Sequence, residues 1–306
     1  MRCAQARRSP IYKVEVMVSP GMLDAPRVKN WLGGIVPAWT ALEWQSISAL
    51  RQHPSDDGTA LRIAKDLTSD DITFSAVASA AITVLNAAST PTGLKLTATG
   101  NLSRQVVAEM WDQITWPGFN KEMTLAVNKV INEPDFGPLY FVRNLIHAAK
   151  LVSKRKEHIK TNQAGKRFLT LDGQPALQEL LFRTAFWELN LGYFRGSALG
   201  GWPQQDVGVA LWSLSVSAHD WTPPDDLTRL CTIPVMGVLE APYDRGSYAF
   251  EGIILRHLVD FGLMEHRAET IPGERFLKNH CYRKSPLFDR FLKFDVKLER
   301  RSPGLH

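Results

Sequence analysis

The chain has 306 residues, of which 44% are hydrophobic and 22% are charged, a balance typical of a globular protein that can bury a core. Nine Trp and fourteen Phe add large apolar side chains, which excludes a disordered chain. The net charge is a modest +5.

The positive charge is concentrated in two segments. Residues 142–168 hold eight lysine and arginine residues against one acid, Glu157, and residues 275–301 hold nine against three acids. The rest of the chain is therefore net negative. Such an asymmetry indicates a polyanionic partner, and a solvated lysine-rich surface is the alternative.

Cysteine content and hydropathy predict a soluble, cytoplasmic protein. The three cysteines are too few and too scattered for a disulfide framework or a four-ligand zinc site, which favours a reducing compartment. The basic residues at the N-terminus precede no apolar segment, so we expect no signal peptide. No run approaches the ~18 apolar residues needed to cross a bilayer.

The first 90 residues are predicted to form a small α+β region. Residues 11–18 alternate as a strand does. Apolar residues at helical spacing predict helices over 38–51 and 72–88, with Ser69 or Asp70 as the cap of the second helix. The turn sequence TPTG at 90–93 marks the first domain boundary.

Residues 91–172 are predicted to form a second module. A short strand, LKLT, leads to a helix over 102–114 with Asn101 as its N-cap. A further helix covers about 121–131. Gly137-Pro138 then begins a third helix, since proline suits the first helical position.

The third helix is amphipathic, and its polar face carries no acid. Arg143, Asn144 and His147 lie on that face, opposite a buried stripe. Arginine and asparagine make bidentate contacts with guanine and adenine edges, so this helix is a candidate recognition helix. The alternative is a basic surface helix with no reading function.

The segments LVSKRK and HIKTN can pair as a hairpin, with Glu157 near its tip. A hairpin this basic is suited to lie along phosphates. The predicted phosphate contacts are made by Lys150, Lys154, Arg155, Lys156 and Lys160.

This order of parts resembles the end of many bacterial winged-helix domains. In those domains the sequence commonly reads G-L-V followed by L-T-x-x-G-R; here it reads A-K-L-V and then Thr161…Gly165-Lys166-Arg167. The chain departs from the pattern at Lys150, where glycine is usual, and in one extra residue before Gly165. The resemblance implies a winged-helix fold, with a hairpin wing after the third helix.

Residues 173–306 are predicted to form a second winged-helix-like module. Helices are expected over 176–191 and 205–217, and Thr222 caps the next helix. Ser247 is predicted to cap a helix over 248–261 that Gly262 ends in a left-handed turn. That helix is apolar around most of its circumference, so we expect it to be more buried than the third helix of the first module. The wing follows, with strands at 263–265 and 280–284, and then a helix, LFDRFLKF.

The wing of this second module is also basic. We interpret this module as mainly structural or dimer-forming, because the narrow polar arc of its pre-wing helix presents little to DNA. The basic wing residues are additional candidates for contact with the nucleic-acid backbone and comprise Arg275, Lys278, Arg283 and Lys284. From about residue 94 the chain also resembles an uncharacterised bacterial protein family, through the elements T-x-x-G-N-L and Y-R-K-x-P-L-F-D-R-F. That resemblance implies a bacterial origin and no defined activity.

No catalytic centre, metal site or cofactor site is predicted. His257, His266, His280 and Cys281 fit no standard ligand spacing, and the acid-x-Lys string at Asp295 arises often by chance. The sequence therefore predicts a mainly α protein with small β (α+β), in which two winged-helix-like modules follow an N-terminal α+β region. The predicted function is non-catalytic binding of double-stranded DNA, as a regulator or accessory factor. The alternative is a protein-interaction scaffold, with a second copy or another protein as its partner.

Overall fold

The computed structural model describes residues 22–195, 199–240, 245–270 and 278–299. The predicted strand 11–18 and the predicted wing residue Arg275 lie outside these ranges. The chain divides into two compact units. Among the described residues, the first unit is 65–190 with 260–262, and the second is 22–64, 191–259 and 263–299. The domain boundaries predicted near residues 90 and 172 both fall inside the first unit.

The prediction of a mainly α protein with small β is confirmed, since the described strands form only sheets of two or three strands. The described helices are α1 (Pro26–Leu32), α2 (Trp44–Leu50), α3 (Ser69–Ile72), α4 (Ala76–Ala88), α5 (Arg104–Gln113), α6 (Lys121–Val127), α7 (Gly137–Ala148), α8 (Gln163–Lys166), α9 (Gln174–Arg183), α10 (Leu191–Arg195), α11 (Val207–Ser217), α12 (Pro224–Cys231), α13 (Met236–Leu239), α14 (Arg245–Phe250), α15 (Arg256–Asp260) and α16 (Pro286–Phe291). The strands are β1 (Leu61–Ile63), β2 (Leu94–Lys95), β3 (Val152–Arg155), β4 (His158–Thr161), β5 (Met264–Thr270), β6 (Lys278–Lys284) and β7 (Leu292–Phe294).

Helix α4 lies in the core of the first unit and packs against α7, α9 and β4. Its small side chains allow close approach, and Ala81 and Leu85 are fully buried. The buried Gln178 on α9 links two other segments of this core. Its amide oxygen accepts a hydrogen bond from the Ser75 hydroxyl at 2.8 Å, and its amide nitrogen donates to the Phe261 carbonyl at 3.0 Å. Both ends of this buried amide are therefore bonded inside the unit.

Two predicted helix caps of the first unit are wrong. Helix α4 is capped by Ser75, whose hydroxyl accepts the Ala78 N–H. The predicted caps, Ser69 and Asp70, lie instead in the separate one-turn helix α3, which Thr68 caps. Helix α5 is capped by Ser103 and not by Asn101. Asn101 is held outside the helix because the next residue, Leu102, pairs with Leu96 in an antiparallel bridge.

The predicted hairpin of the first unit is present. Strands β3 and β4 pair antiparallel, with Arg155 opposite His158, and Lys156-Glu157 form the two-residue loop. Strand β2 adds to β4, which gives the order β2-β4-β3. Helix α7 precedes the hairpin and has Pro138 in its first turn, as predicted, with its apolar side in the core.

The second unit repeats part of this order. Helices α11 and α12 precede the helical run α14–α15, whose two halves are joined by a π-helical turn, Glu251–Leu255. The hairpin β5–β6 follows, and Thr222 bridges to Tyr282 on the outer side of β6. Both helices bury apolar residues, but the run α14–α15 also buries His257 and Asp260, whereas α7 leaves His147 exposed. This helix is therefore more buried than α7, as predicted.

Three local predictions for the second unit are corrected. Thr222 caps no helix because it is paired with β6, and Pro223 takes the N-cap position of α12. Ser247 lies inside α14, where its hydroxyl contacts Asp225. The helix predicted over LFDRFLKF ends at Phe291, because Leu292–Phe294 pair antiparallel with β1. Within the described ranges, no helix is long and apolar enough to cross a membrane.

Candidate nucleic-acid interface

The polar face of α7 carries the three residues predicted to contact bases, and these three residues differ in how far they are exposed. His147 is exposed near the C-terminal end of the helix. Asn144 is half-buried, and its amide nitrogen donates to the Tyr140 carbonyl one turn earlier, at 2.7 Å. Arg143 is largely buried, with 14% of its side chain exposed.

Arg143 is used inside the first unit. Its Nε forms an ion pair with Glu133, a carboxylate with no exposed surface, and its guanidinium also donates to the Gly100 carbonyl. The second oxygen of Glu133 accepts the Leu102 N–H at 2.7 Å. Burial raises the pKa of Glu133, and the Arg143 guanidinium opposes that shift. Arg143 therefore holds α7 to the loops before α5 and α7, and we remove it from the proposed reading set.

The hairpin β3–β4 presents its cations to solvent. Lys154, Arg155 and Lys156 are exposed on the last residues of β3 and the first loop residue. Lys160 on β4 is half-buried, and its amino group donates to the Pro91 carbonyl. Three of the four cations predicted on the hairpin are thus available to a phosphate, and Lys160 is tied to the turn before β2.

Lys150 ends α7 in a left-handed turn, with φ of +58°. The N–H of Lys150 donates to the His147 carbonyl at 3.0 Å, and the N–H of Leu151 donates to the Ile146 carbonyl, also at 3.0 Å. These two bonds define a Schellman motif, in which glycine usually takes the left-handed position. Glycine is therefore the residue expected at this left-handed position, as in the winged-helix pattern, and this chain has lysine there.

The segment after the hairpin returns to this turn. Asn162 donates its amide to the Lys150 carbonyl at 2.8 Å and caps α8 by accepting the Gly165 N–H at 3.0 Å. Lys166 and Arg167 follow and are exposed. The sequence did not predict them as contact residues, although their basic character and their closeness in the chain to the hairpin are visible signals.

The exposed cations of the hairpin and its flanking turns form one set that lacks ion pairs among the described residues. We call the set the wing surface, and it comprises Lys150, Lys154, Arg155, Lys156, Lys166 and Arg167. In the part of the chain that the structure describes, none of the six forms an ion pair with an acid. Glu157, at the hairpin tip, is the one acid between Lys150 and Arg167.

The basic residues predicted for the second hairpin are paired inside their unit. Arg283 donates to Glu265 through Nε and a terminal nitrogen, at 2.8 and 2.7 Å, and stacks on Trp221. Lys284 is 10% exposed and contacts the Ser215 carbonyl and Asp289. Lys278 is exposed. We therefore remove Arg283 and Lys284 from the proposed contacts, because their charges are already neutralised.

Another polar cluster lies where β5–β6 faces the helical run α14–α15. His266 and His280 stack with their rings 6° apart and share a hydrogen bond of 2.7 Å between Nε2 and Nδ1. Tyr282 donates to Glu251 at 2.6 Å, and Arg256 pairs with the same carboxylate. Burial favours a higher pKa for Glu251, but these two donors hold it below its ordinary value. Burial, followed by the charge of His280, lowers the pKa of His266.

This cluster does not form a metal site. His257 is buried and bonds to the Ile253 carbonyl, and Cys281 lies on the opposite face of β6 from His280. Within the described ranges, no group of three or more His, Cys, Asp or Glu side chains is arranged to hold a metal ion.

Comparison with known proteins concerns the segment that carries the wing surface. Residues 73–175 match the family model of the Y4jL N-terminal domain. A curated relative, "Uncharacterized protein y4jL" of Sinorhizobium fredii (strain NBRC 101917 / NGR234), is 35% identical over 82 residues, which are 27% of this chain and 37% of that protein. The chain therefore spans little more than a third of that relative's length. No solved structure matches the chain. The segment from α4 to the beginning of α9 is thus similar to the N-terminal domain of Y4jL, an uncharacterised bacterial family.

Proposed function

We propose that the first unit is a winged-helix-like module. In support, the chain runs α4, β2, α5, α6, α7, β3, β4, and the first strand adds to the last one in the order β2-β4-β3. The second unit runs in a comparable order, with the Thr222 bridge in the place of the first strand. A helix followed by a two-stranded wing is the arrangement that many DNA-binding domains use.

We further propose that the wing surface binds the phosphate backbone of double-stranded DNA. The observation that carries this proposal is the set of six exposed cations, none of which pairs with an acid among the described residues. Unpaired cations next to one another repel, and a polyanion relieves that repulsion while it releases its own counterions. The contrast with Arg283 and Lys284, which are neutralised within their own unit, makes the first hairpin the better candidate.

Sequence reading has weaker support than backbone binding. With Arg143 in an ion pair, the exposed part of α7 offers His147 and a partly engaged Asn144. A bidentate base contact needs the amide of Asn144 to turn towards the base, and its nitrogen is held at the Tyr140 carbonyl by one of its two N–H groups. The proposed binding is therefore largely tolerant of sequence.

The test is a salt titration of binding to a random 20-bp duplex. The variant carries Lys154→Glu, Arg155→Glu and Lys156→Glu. Its affinity should fall about equally for all sequences, and the slope of log K against log salt should flatten by roughly 0.9 for each phosphate that the protein no longer neutralises.

The matched control makes the same change of net charge in the second unit, with Arg245→Glu, Lys293→Glu and Lys297→Glu at exposed residues. It should bind almost as the parent does. Equal reductions of affinity in both triple variants would mean that only net charge matters, and the wing surface would lose its proposed role.

A protein-interaction scaffold is the second candidate, and helix α6 favours it. No residue of this helix is buried, and Met123 and Val127 are 68% and 81% exposed. Apolar side chains this exposed are common at protein contacts. This candidate predicts that the protein does not bind the duplex, or that the triple variant binds it as the parent does. It also predicts that Met123→Glu with Val127→Glu alters the mass of the protein or its complexes in light scattering.

A further inference from the structure

Lys150 and Lys156 share an unusual backbone conformation. Among the described residues, they are the two that have positive φ without being glycine, at +58° and +53°. Left-handed backbone brings a Cβ close to the following carbonyl oxygen, which glycine avoids. Asparagine is also tolerated there, but lysine has no side-chain group that bonds locally in compensation. Both residues therefore hold a conformation that a glycine would hold more stably.

Each lysine lies at a position where glycine is the usual residue. Lys150 is the left-handed residue of the Schellman motif that ends α7. Lys156 is the first of two loop residues in a tight hairpin, a position that favours glycine or asparagine. They flank strand β3 on either side, so the same conformational cost occurs at both ends of one strand.

Within the described ranges, neither amino group forms a hydrogen bond or an ion pair. The turn at Lys150 is held by backbone bonds and by Asn162, which contacts the Lys150 carbonyl and not its amino group. Both lysines are exposed, and neither pairs with an acid in the described ranges. Backbone strain that persists without a compensating internal contact is typical of functional positions.

We propose that Lys150 and Lys156 are anchors for two separate phosphates of a duplex, kept as lysines at a cost in stability. This inference rests on the proposed DNA binding. Strand β3, Val152–Arg155, lies between them, and at about 3.3 Å per residue it separates the two backbone positions by roughly 10 Å or more, which is further than a single phosphate group spans. This separation suits an extended polyanion such as the proposed duplex, whereas inorganic phosphate would contact one lysine at a time.

The experiment compares Lys150→Gly and Lys156→Gly in the full chain. Each variant should raise Tm by about 2–4 °C, because glycine relieves the left-handed backbone. Each should also flatten the salt slope for the 20-bp duplex by roughly 0.9, because one phosphate is no longer neutralised. Opposite changes in stability and affinity are the signature, since removal of a structural residue would lower both.

Two controls accompany these variants. Lys129→Gly removes an exposed loop lysine whose φ is not positive, so it should neither raise Tm nor change the slope by the amount expected for a whole phosphate. Lys150→Arg keeps both the charge and the left-handed backbone, so it should behave as the parent does. Tripolyphosphate at the same phosphate concentration should compete poorly against the duplex.

The outcomes separate this inference from the function on which it rests. If the parent binds duplex and loses affinity on charge reversal, but both glycine variants bind unchanged, the two-anchor inference fails alone. A lower Tm in both glycine variants would also overturn it. If the parent does not bind duplex at any salt concentration, the proposed function and this inference fail together.

Discussion

Replacing Arg143 by alanine tests whether this residue belongs to the fold or to a reading surface. Its partner, Glu133, has no exposed side-chain surface, and Arg143 itself is 14% exposed. The substitution leaves a carboxylate in the core with one remaining bond, to the Leu102 N–H. Breaking a buried ion pair by removing one partner costs about 3–5 kcal/mol.

The expected effect is large enough to measure by thermal unfolding. A unit of this size loses roughly 4 °C in Tm per kcal/mol, so Arg143→Ala should lower Tm by roughly 12–20 °C. Burial already raises the pKa of Glu133, and the variant lacks the guanidinium that opposed this shift. The folded variant then binds a proton more readily than the unfolded chain does, so its deficit in stability should shrink as pH falls towards the raised pKa.

Two further variants check the reasoning. Arg155→Ala removes an exposed arginine of the same unit and should change the free energy of unfolding by less than about 0.5 kcal/mol. Glu133→Gln combined with Arg143→Met removes both charges and should recover most of the stability, since replacing both partners of a buried pair is close to neutral. The reasoning is refuted if Arg143→Ala unfolds like the parent and instead alters binding to one duplex sequence.

Two other predictions concern His266 in the hairpin β5–β6 and Gly165 in helix α8. Because the folded protein lowers the pKa of His266, the unfolded chain binds protons more readily, and stability present above pH ~6.5 should be lost as pH falls below it and through the lowered pKa. The protection factors of the β5 and β6 amides, corrected for the intrinsic pH dependence of exchange, should fall over that range, and His266→Gln should remove the dependence; equal protection factors at both pH values would contradict it. Gly165→Ala should cost about 1–3 kcal/mol in urea unfolding, because its Cβ would lie 2.3 Å from the Leu151 carbonyl oxygen. Gly137→Ala, where a Cβ meets nothing within 4 Å, is the control, and equal destabilisation of the two variants would show that this close approach does not matter.

Short-range signals in the sequence predicted the helix α7 and the hairpin β3–β4 well. Pro138 marked the beginning of the helix, and the alternating residues on either side of Glu157 marked the hairpin. Such signals depend on neighbours within one or two turns, which the sequence contains in full. The same reasoning failed for Asn101 and for residues 292–294, where pairing with a distant strand or bridge overrode local propensity.

The sequence by itself determined the mainly α composition, the order of helix and hairpin, and the concentration of positive charge after α7. Only the tertiary structure decided which of those charges are available to a partner. Arg143 forms an ion pair with the buried Glu133, and Arg283 forms one with Glu265 across a hairpin. The lysines and arginines of the wing surface form no ion pair with an acid in the described ranges. The physical reason is that a charged side chain is neutralised by an opposite charge within about 4 Å. The fold, and not position along the chain, decides which side chain lies that close.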